Sequence, residues 1–107
     1  MAMYETLKGM SGEKCYTLTR DNPADMYVDD QGVTVVYPSG RSIDLPREMV
    51  IDAINWLRQK RELTVDEVHE EITKRNRTRT DKLMAVLRKL PGVHFRKYPR
   101  ALYYQEG

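Results

Sequence analysis

The sequence is short of cysteine and of long apolar runs, and each shortage excludes a class of protein. Its 107 residues include one cysteine, Cys15, so an intramolecular disulfide cannot form and a reducing, cytoplasmic compartment is expected. No apolar run approaches the roughly 20 residues that span a bilayer, so no membrane partner is expected. The first residues have neither the basic nor the apolar segment of a secretory signal, and none is expected.

Motifs for metal binding and catalysis are also scarce. Cys15, His69 and His94 are scattered, with no Cys-x-x-Cys or His-x-x-x-His spacing, so a zinc site is not expected. Asp29 and Asp30 lack the further spaced carboxylates of a calcium loop. The chain has no glycine-rich phosphate-binding loop. We therefore expect no metal, no cofactor and no enzymatic activity.

Positive charge is concentrated in one segment of the chain. Residues 1–45 carry four Lys and Arg against seven Asp and Glu, whereas residues 46–107 carry fourteen against nine. Within residues 74–100 the count is ten against one. The positive electrostatic field of this segment attracts polyanions and speeds their encounter with the protein, but it does not specify which polyanion.

The first 45 residues have the pattern of short strands and turns. Residues 1–12 are small and polar with no clear period, so a flexible N-terminus is expected. Residues 33–37 form a β-branched and aromatic run, which favours a strand. A turn over 38–41 returns the chain into residues 42–44, which predicts a hairpin. Residues 13–45 are therefore interpreted as an N-terminal β-hairpin extension, packed on or beside the main domain.

Residue 46 begins a different pattern, of helical period. Proline is favoured at the first helical position, and Val50, Ile54 and Leu57 follow on one face. This spacing predicts a first helix over residues 46–61.

The sharpest local signal follows that helix. Thr64 and Glu67 have the spacing of a capping box, and Leu63 and Val68 have that of a hydrophobic staple. The signal predicts a second, short helix that begins at Thr64 and ends near residue 74 or 75.

A third helix and a hairpin complete the chain. Leu83, Val86, Leu87 and Leu90 form a stripe that predicts a helix over residues 79–90, ended by the Pro-Gly pair that follows. Residues 93–97 then alternate apolar and polar, and 101–104 return after a turn, as expected of a second hairpin.

The order helix, helix, short basic turn, helix, hairpin resembles the winged helix-turn-helix superfamily. Residues 64–68 resemble its second-helix opening, 82–90 its recognition helix and 93–104 its wing. The resemblance implies an α+β fold in which residues 46–107 form a winged helix of three helices and a C-terminal β-hairpin wing, preceded by an N-terminal β-hairpin. The turn over 75–77 departs from the common pattern, since it lacks a glycine.

What the resemblance implies is a small DNA-binding protein, a transcriptional regulator that contacts double-stranded DNA through helix 3 and the wing. The face of helix 3 opposite its leucines is expected to be open, with the small Ala85 at its centre. Basic side chains on this face and on the wing would contact phosphates and base edges. The expected contact residues are Arg77, Thr78, Arg79, Lys82, Arg88, Lys89, Arg96, Lys97, Tyr98 and Arg100.

Two alternatives stay open. The charged face can be merely solvated and have no binding role. Glu67, Glu70 and Glu71 on helix 2 can also interrupt the basic face, and such an interruption favours a protein–protein interaction or adaptor module without DNA binding. The N-terminal hairpin or helix 1 can hold two copies together as a homodimer. The hairpin can instead pack back on helix 1 and enlarge the core.

Overall fold

A computed structural model describes residues 2–18 and 20–105 of the protein. Within these ranges the chain forms four helices and seven strands, arranged in two antiparallel sheets, which confirms the expected α+β class. Residues 1, 106 and 107 of the expected terminal segments lie outside the described residues. None of the helices in these ranges has the length and apolar character that crossing a membrane requires.

The first half of the chain is one helix followed by a four-stranded meander. Helix α1 spans Ala2–Gly9, and strands β1 to β4 lie side by side in chain order. The predicted hairpin is confirmed as β3 and β4, in which Val35 pairs with Ile43. The sheet is larger than predicted, because β2 pairs with β3 along its length and β1 pairs with β2. The strand bounds are Lys14–Tyr16 for β1, Pro23–Asp29 for β2, Gly32–Val36 for β3 and Ser42–Pro46 for β4.

The expectation of a flexible, loosely packed N-terminus is wrong for the described residues of that segment. Tyr4 and Leu7 of α1 are both fully buried. The Tyr4 hydroxyl donates a hydrogen bond to the Asp29 carbonyl at 2.7 Å, and Lys8 Nζ lies 2.5 Å from a carboxylate oxygen of Asp30. Tyr4 and Leu7 lie three positions apart and so share one face of the helix. Two residues are too few to establish a helical period, which is why the sequence did not predict α1.

The second half alternates helices with a three-stranded sheet of order β5-β7-β6. Strand β7 therefore pairs both with β6, in the predicted C-terminal hairpin, and with β5, which precedes the second predicted helix. The bounds are Arg47–Lys60 for α2, Glu62–Thr64 for β5, Val65–Glu67 for α3, Arg77–Leu87 for α4, Val93–Arg96 for β6 and Ala101–Tyr104 for β7.

The helix predictions hold in position and differ at the ends. Pro46 ends β4 and caps α2 instead of opening it. The capping box is confirmed, since Thr64 Oγ1 accepts from the Glu67 amide at 3.0 Å and Glu67 Oε1 accepts from the Thr64 amide at 2.8 Å. Helix α3 then widens into a π-helical turn over Val68–Ile72. Helix α4 starts before residue 79, because Asn76 caps it through the Arg79 amide.

The inner face of the four-stranded sheet packs against α2 and α4. Val33 and Val35 of the sheet belong to the same buried cluster as Ile54 of α2 and Leu87 of α4. Helix α4 is enclosed as a result, with seven of its eleven residues buried. The N-terminal hairpin thus packs back on the first predicted helix, and its apolar face is used within the chain.

Candidate nucleic-acid interface

The middle of α4 lies beneath the four-stranded sheet. The expectation that its face opposite the leucines is open is wrong for Lys82 and Ala85, which are 9% and 1% exposed. Lys82 Nζ lies 4.6 Å from the centroid of the Tyr37 ring, which belongs to the turn after β3. Sequence periodicity identifies which face of a helix is polar, but not whether a distant segment covers that face. Lys82 and Ala85 therefore do not lie on an open face of α4.

Arg88 and Lys89, at the end of α4, are engaged with the N-terminal half of the chain. Arg88 Nη1 donates to Asp21 Oδ1 at 3.0 Å, and its guanidinium lies 5.4 Å from the centroid of the Phe95 ring. Lys89 Nζ lies 3.1 Å from a carboxylate oxygen of Glu13. Both predicted contact residues are half-buried and tie α4 to the segments on either side of β1.

In the C-terminal hairpin, Arg96 forms an ion pair with Glu62, the first residue of β5. Arg96 lies on β6 and Glu62 on β5, at opposite edges of the sheet with β7 between them. Arg96 is half-buried, and this predicted contact residue is paired within the chain.

The other predicted contact residues lie at the start of α4 and at the β6–β7 turn. Arg77 and Thr78 are exposed in the first turn of α4, and Arg79 is half-buried. Thr78 lines a cavity beside the β3–β4 turn, which is not the cavity that Arg77 lines. Lys97, Tyr98 and Arg100 are exposed in the hairpin turn.

Arg77 and Arg100 line one cavity of about 330 Å³, together with Arg20 and Lys82. We call it the basic cleft. It lies between the β1–β2 loop, the first half of α4 and the hairpin turn, so its four cations come from three separate segments. The complete lining is Thr17, Leu18, Arg20, Asn22, Val65, Arg77, Asp81, Lys82, Met84 and Arg100.

Sequence reasoning missed Arg20. It lies in the acidic half of the chain, in the loop between β1 and β2, and no local motif marks it. Its place in the basic cleft depends on the four-stranded sheet lying over α4, which is a contact between segments far apart in sequence.

A second cavity, of about 430 Å³, adjoins the basic cleft and shares Leu18 and Arg100 with it. We call it the aromatic cleft. Its remaining lining comes from β6 and the hairpin turn, and it includes Tyr98, whose side chain is 86% exposed. The complete lining is Leu18, Phe95, Lys97, Tyr98, Pro99 and Arg100.

The turn that leads into α4 is unfavourable for stability. Lys74 and Arg75 both have left-handed backbone conformations, with φ of 53° and 67°, where side chains other than glycine are strained. The glycine missing from the sequence pattern is thus replaced by two cations. Basic residues flank the start of α4 and no acidic residue lies in its first turn, although the positive end of the helix dipole disfavours cations there.

The three glutamates of the second predicted helix do not interrupt the basic cleft. Glu67 completes the capping box, and Glu70 Oε2 accepts from Arg75 Nε at 3.0 Å. Glu71 lines a different cavity, beside Trp56 of α2. Of the acidic residues that the structure describes, Asp81 is the one that lines the basic cleft.

In the described part of the chain, no group of three or more His, Cys, Asp or Glu side chains is placed to hold a metal ion. His69 is near Thr80, His94 stacks beside Tyr103 and Cys15 is buried in the first sheet.

No family model, no curated protein and no solved structure matches the chain.

Proposed function

We propose that the protein binds nucleic acid through the basic cleft and the adjoining hairpin turn. The observation that carries this proposal is the convergence of Arg20, Arg77, Lys82 and Arg100 on one cavity. Phosphate oxygens accept charge-assisted hydrogen bonds from such groups, and arginine can donate two at once. A cleft of this size and charge would hold one or two phosphates of a strand.

In this proposal, residues 46–107 act as a winged helix whose contact surface lies at one end of α4. The order α2, α3, α4 and hairpin supports this assignment, as does the pairing of β7 with β5. The four-stranded sheet covers the helix face that such domains present to DNA. The proposed contact surface therefore lies at the start of α4, where Arg77 is exposed, and at the hairpin turn that carries Lys97 and Arg100. Regulation of transcription is the role that the winged-helix resemblance implies.

The strained turn before α4 supports the same surface. Each left-handed residue other than glycine lowers the free energy of unfolding by about 1–2 kcal/mol. Cations beside a helix N-terminus lower it by about a few tenths of a kcal/mol more. A bound phosphate would compensate for the second cost, because an anion interacts favourably with that end of the helix. Features that oppose folding but favour a ligand are typical of binding sites.

The test is a fluorescence-anisotropy titration of labelled oligonucleotides with the full chain at about 50 and 200 mM salt. We expect binding that weakens steeply with salt, because phosphate contacts release counterions. The double variant Arg20→Glu and Arg77→Glu should abolish binding. The matched control, Arg41→Glu with Arg58→Glu, changes the net charge equally at two exposed positions outside the cleft and should bind much more tightly than the first variant.

Equal losses in both double variants would show that general charge and not the cleft attracts the nucleic acid. Undetectable binding of single-stranded and duplex oligonucleotides by the natural sequence at low salt would overturn the proposal.

A specific observation favours the alternative of a protein-interaction module. Arg88, Lys89 and Arg96 are paired within the chain, so these three expected DNA contacts serve internal packing. A homodimer through the N-terminal hairpin would have to use its outer face, because Val33 and Val35 are buried inside. Sedimentation velocity of the free protein tests whether it is a dimer. The fluorescence-anisotropy titration with oligonucleotides distinguishes the two functions, because an adaptor without DNA binding would give no signal.

A further inference from the structure

The two adjoining clefts differ in chemistry. The basic cleft is lined by four cations and one carboxylate, whereas the aromatic cleft is lined by Leu18, Phe95, Tyr98 and Pro99 with Lys97 and Arg100 at its edge. Because they share Leu18 and Arg100, a ligand can occupy both at once. That ligand needs an anionic group next to a flat apolar group.

A single strand of nucleic acid has this alternation. Each nucleotide places a phosphate beside a base, and an unpaired base exposes two apolar faces that stack on aromatic side chains. Tyr98 is 86% exposed, so a face of its ring is available for stacking. The 430 Å³ of the aromatic cleft lies in the range of roughly 300–1,000 Å³ found for small-molecule sites, which is sufficient for one base.

A duplex fits this surface less well. Its bases are stacked inside the helix, and one of them enters a protein cavity only after it is unpaired and turned out. The usual way to read a duplex is a helix inserted in the major groove, and Lys82 and Ala85 in the middle of α4 are covered by the sheet.

We propose that the protein selects single-stranded nucleic acid over duplex, with an unpaired base in the aromatic cleft and its phosphate in the basic cleft. This inference rests on the proposed function and names the class of nucleic acid for the same surface. Tyr98 stacks on the base, and Arg77 and Arg100 contact the phosphate. The hairpin turn supplies selectivity, while the cations of the basic cleft supply affinity for either form.

The experiment compares three labelled probes of equal length: an oligodeoxythymidine, a duplex, and a single strand with abasic sites at its centre. We expect the oligodeoxythymidine to bind at least tenfold more tightly than the other two. Tyr98→Ala should weaken its binding by roughly 5- to 150-fold, the range for loss of one stacked base, and should leave binding of the abasic strand unchanged. Tyr98→Trp should restore tight binding, because indole also stacks.

The matched control is Tyr27→Ala, which removes a 49% exposed tyrosine from the first sheet, away from both clefts. It should bind all three probes like the natural sequence. Duplex binding as tight as single-strand binding, or equal affinities of Tyr98→Ala and Tyr27→Ala for oligodeoxythymidine, would overturn this inference. If Arg20→Glu with Arg77→Glu still abolished binding in that case, the proposed function would stand and only the preference for a single strand would be lost.

Discussion

At the scale of single residues, the reactivity of the Cys15 thiol measures how readily strand β1 opens to solvent. Cys15 is 1% exposed on β1, and its burial raises the pKa of the thiol. Since the thiolate is the reactive form, the folded protein should react with a disulfide reagent at pH about 8 at least a hundredfold more slowly than the unfolded protein. Absorbance of the released chromophore, with and without urea, measures both rates. Immediate stoichiometric labelling of the folded protein would mean that β1 opens readily.

The ion pair of Lys8 and Asp30 is a second local feature, and it predicts a pH dependence. The hydrogen bond from Lys8 lowers the pKa of Asp30, and the same bond raises the pKa of Lys8. The contribution of Asp30 to the free energy of unfolding is present above its ordinary pKa and is lost as the pH falls through the lowered one. The contribution of Lys8 is present below its ordinary pKa and is lost as the pH rises through the raised one.

We therefore expect Asp30→Asn to destabilise the protein slightly at pH 7 and less at a pH of about 2, because the natural carboxylate loses its charge as the pH falls through its lowered pKa. The effect is small because both side chains contact solvent. Urea unfolding at the two pH values measures it. Asp52→Asn, at an exposed carboxylate of α2, is the control and should show no such difference; equal losses for Asp30→Asn at both pH values would contradict the assignment.

At the scale of elements, the turn before α4 is the place where a substitution should stabilise the fold. Lys74→Gly removes the strain of a left-handed residue, partly offset by the greater freedom of glycine in the unfolded chain, so a gain of about 0.5–1 kcal/mol is expected. Arg58→Gly, at an exposed position within α2, should instead cost about 0.5–1 kcal/mol. Thermal unfolding of the two variants tests the opposite signs. Two losses would show that the Lys74 conformation is not strained.

Elements with local signals were predictable from the sequence, and those made by distant contacts were not. The capping box at Thr64 requires only two side chains three positions apart, and it is present with both hydrogen bonds. Helix α1 was missed because its buried face consists of Tyr4 and Leu7 alone. The covered face of α4 and the position of Arg20 were missed for another reason. Both depend on the first sheet packing across the chain, which no local pattern encodes.

At the scale of the whole molecule, one buried cluster joins residues from both halves, from Tyr4 of α1 to Leu102 of β7. Leu7→Ala should therefore destabilise the entire chain by about 2–5 kcal/mol, the usual cost of deleting a buried leucine. Trp56, on α2, is the single tryptophan and reports on the second half by fluorescence. We expect its urea transition to shift together with the far-ultraviolet circular dichroism.

The control is Thr6→Ala, at an exposed position of the same helix, where a change within about 0.5 kcal/mol is expected. A Trp56 transition that stays in place when Leu7 is truncated would show that the first sheet and α1 unfold separately from the rest.

The sheet that lies over α4 also bears on what a selection experiment would recover. Base identity is read mainly in the major groove, and the helix turns that would enter it hold Lys82 and Ala85 against the sheet. A random oligonucleotide library that is selected for binding to this protein should therefore yield no consensus sequence. If the protein selects single strands as proposed, its occupancy in a cell would follow the amount and timing of exposed single strand, and not the position of an operator.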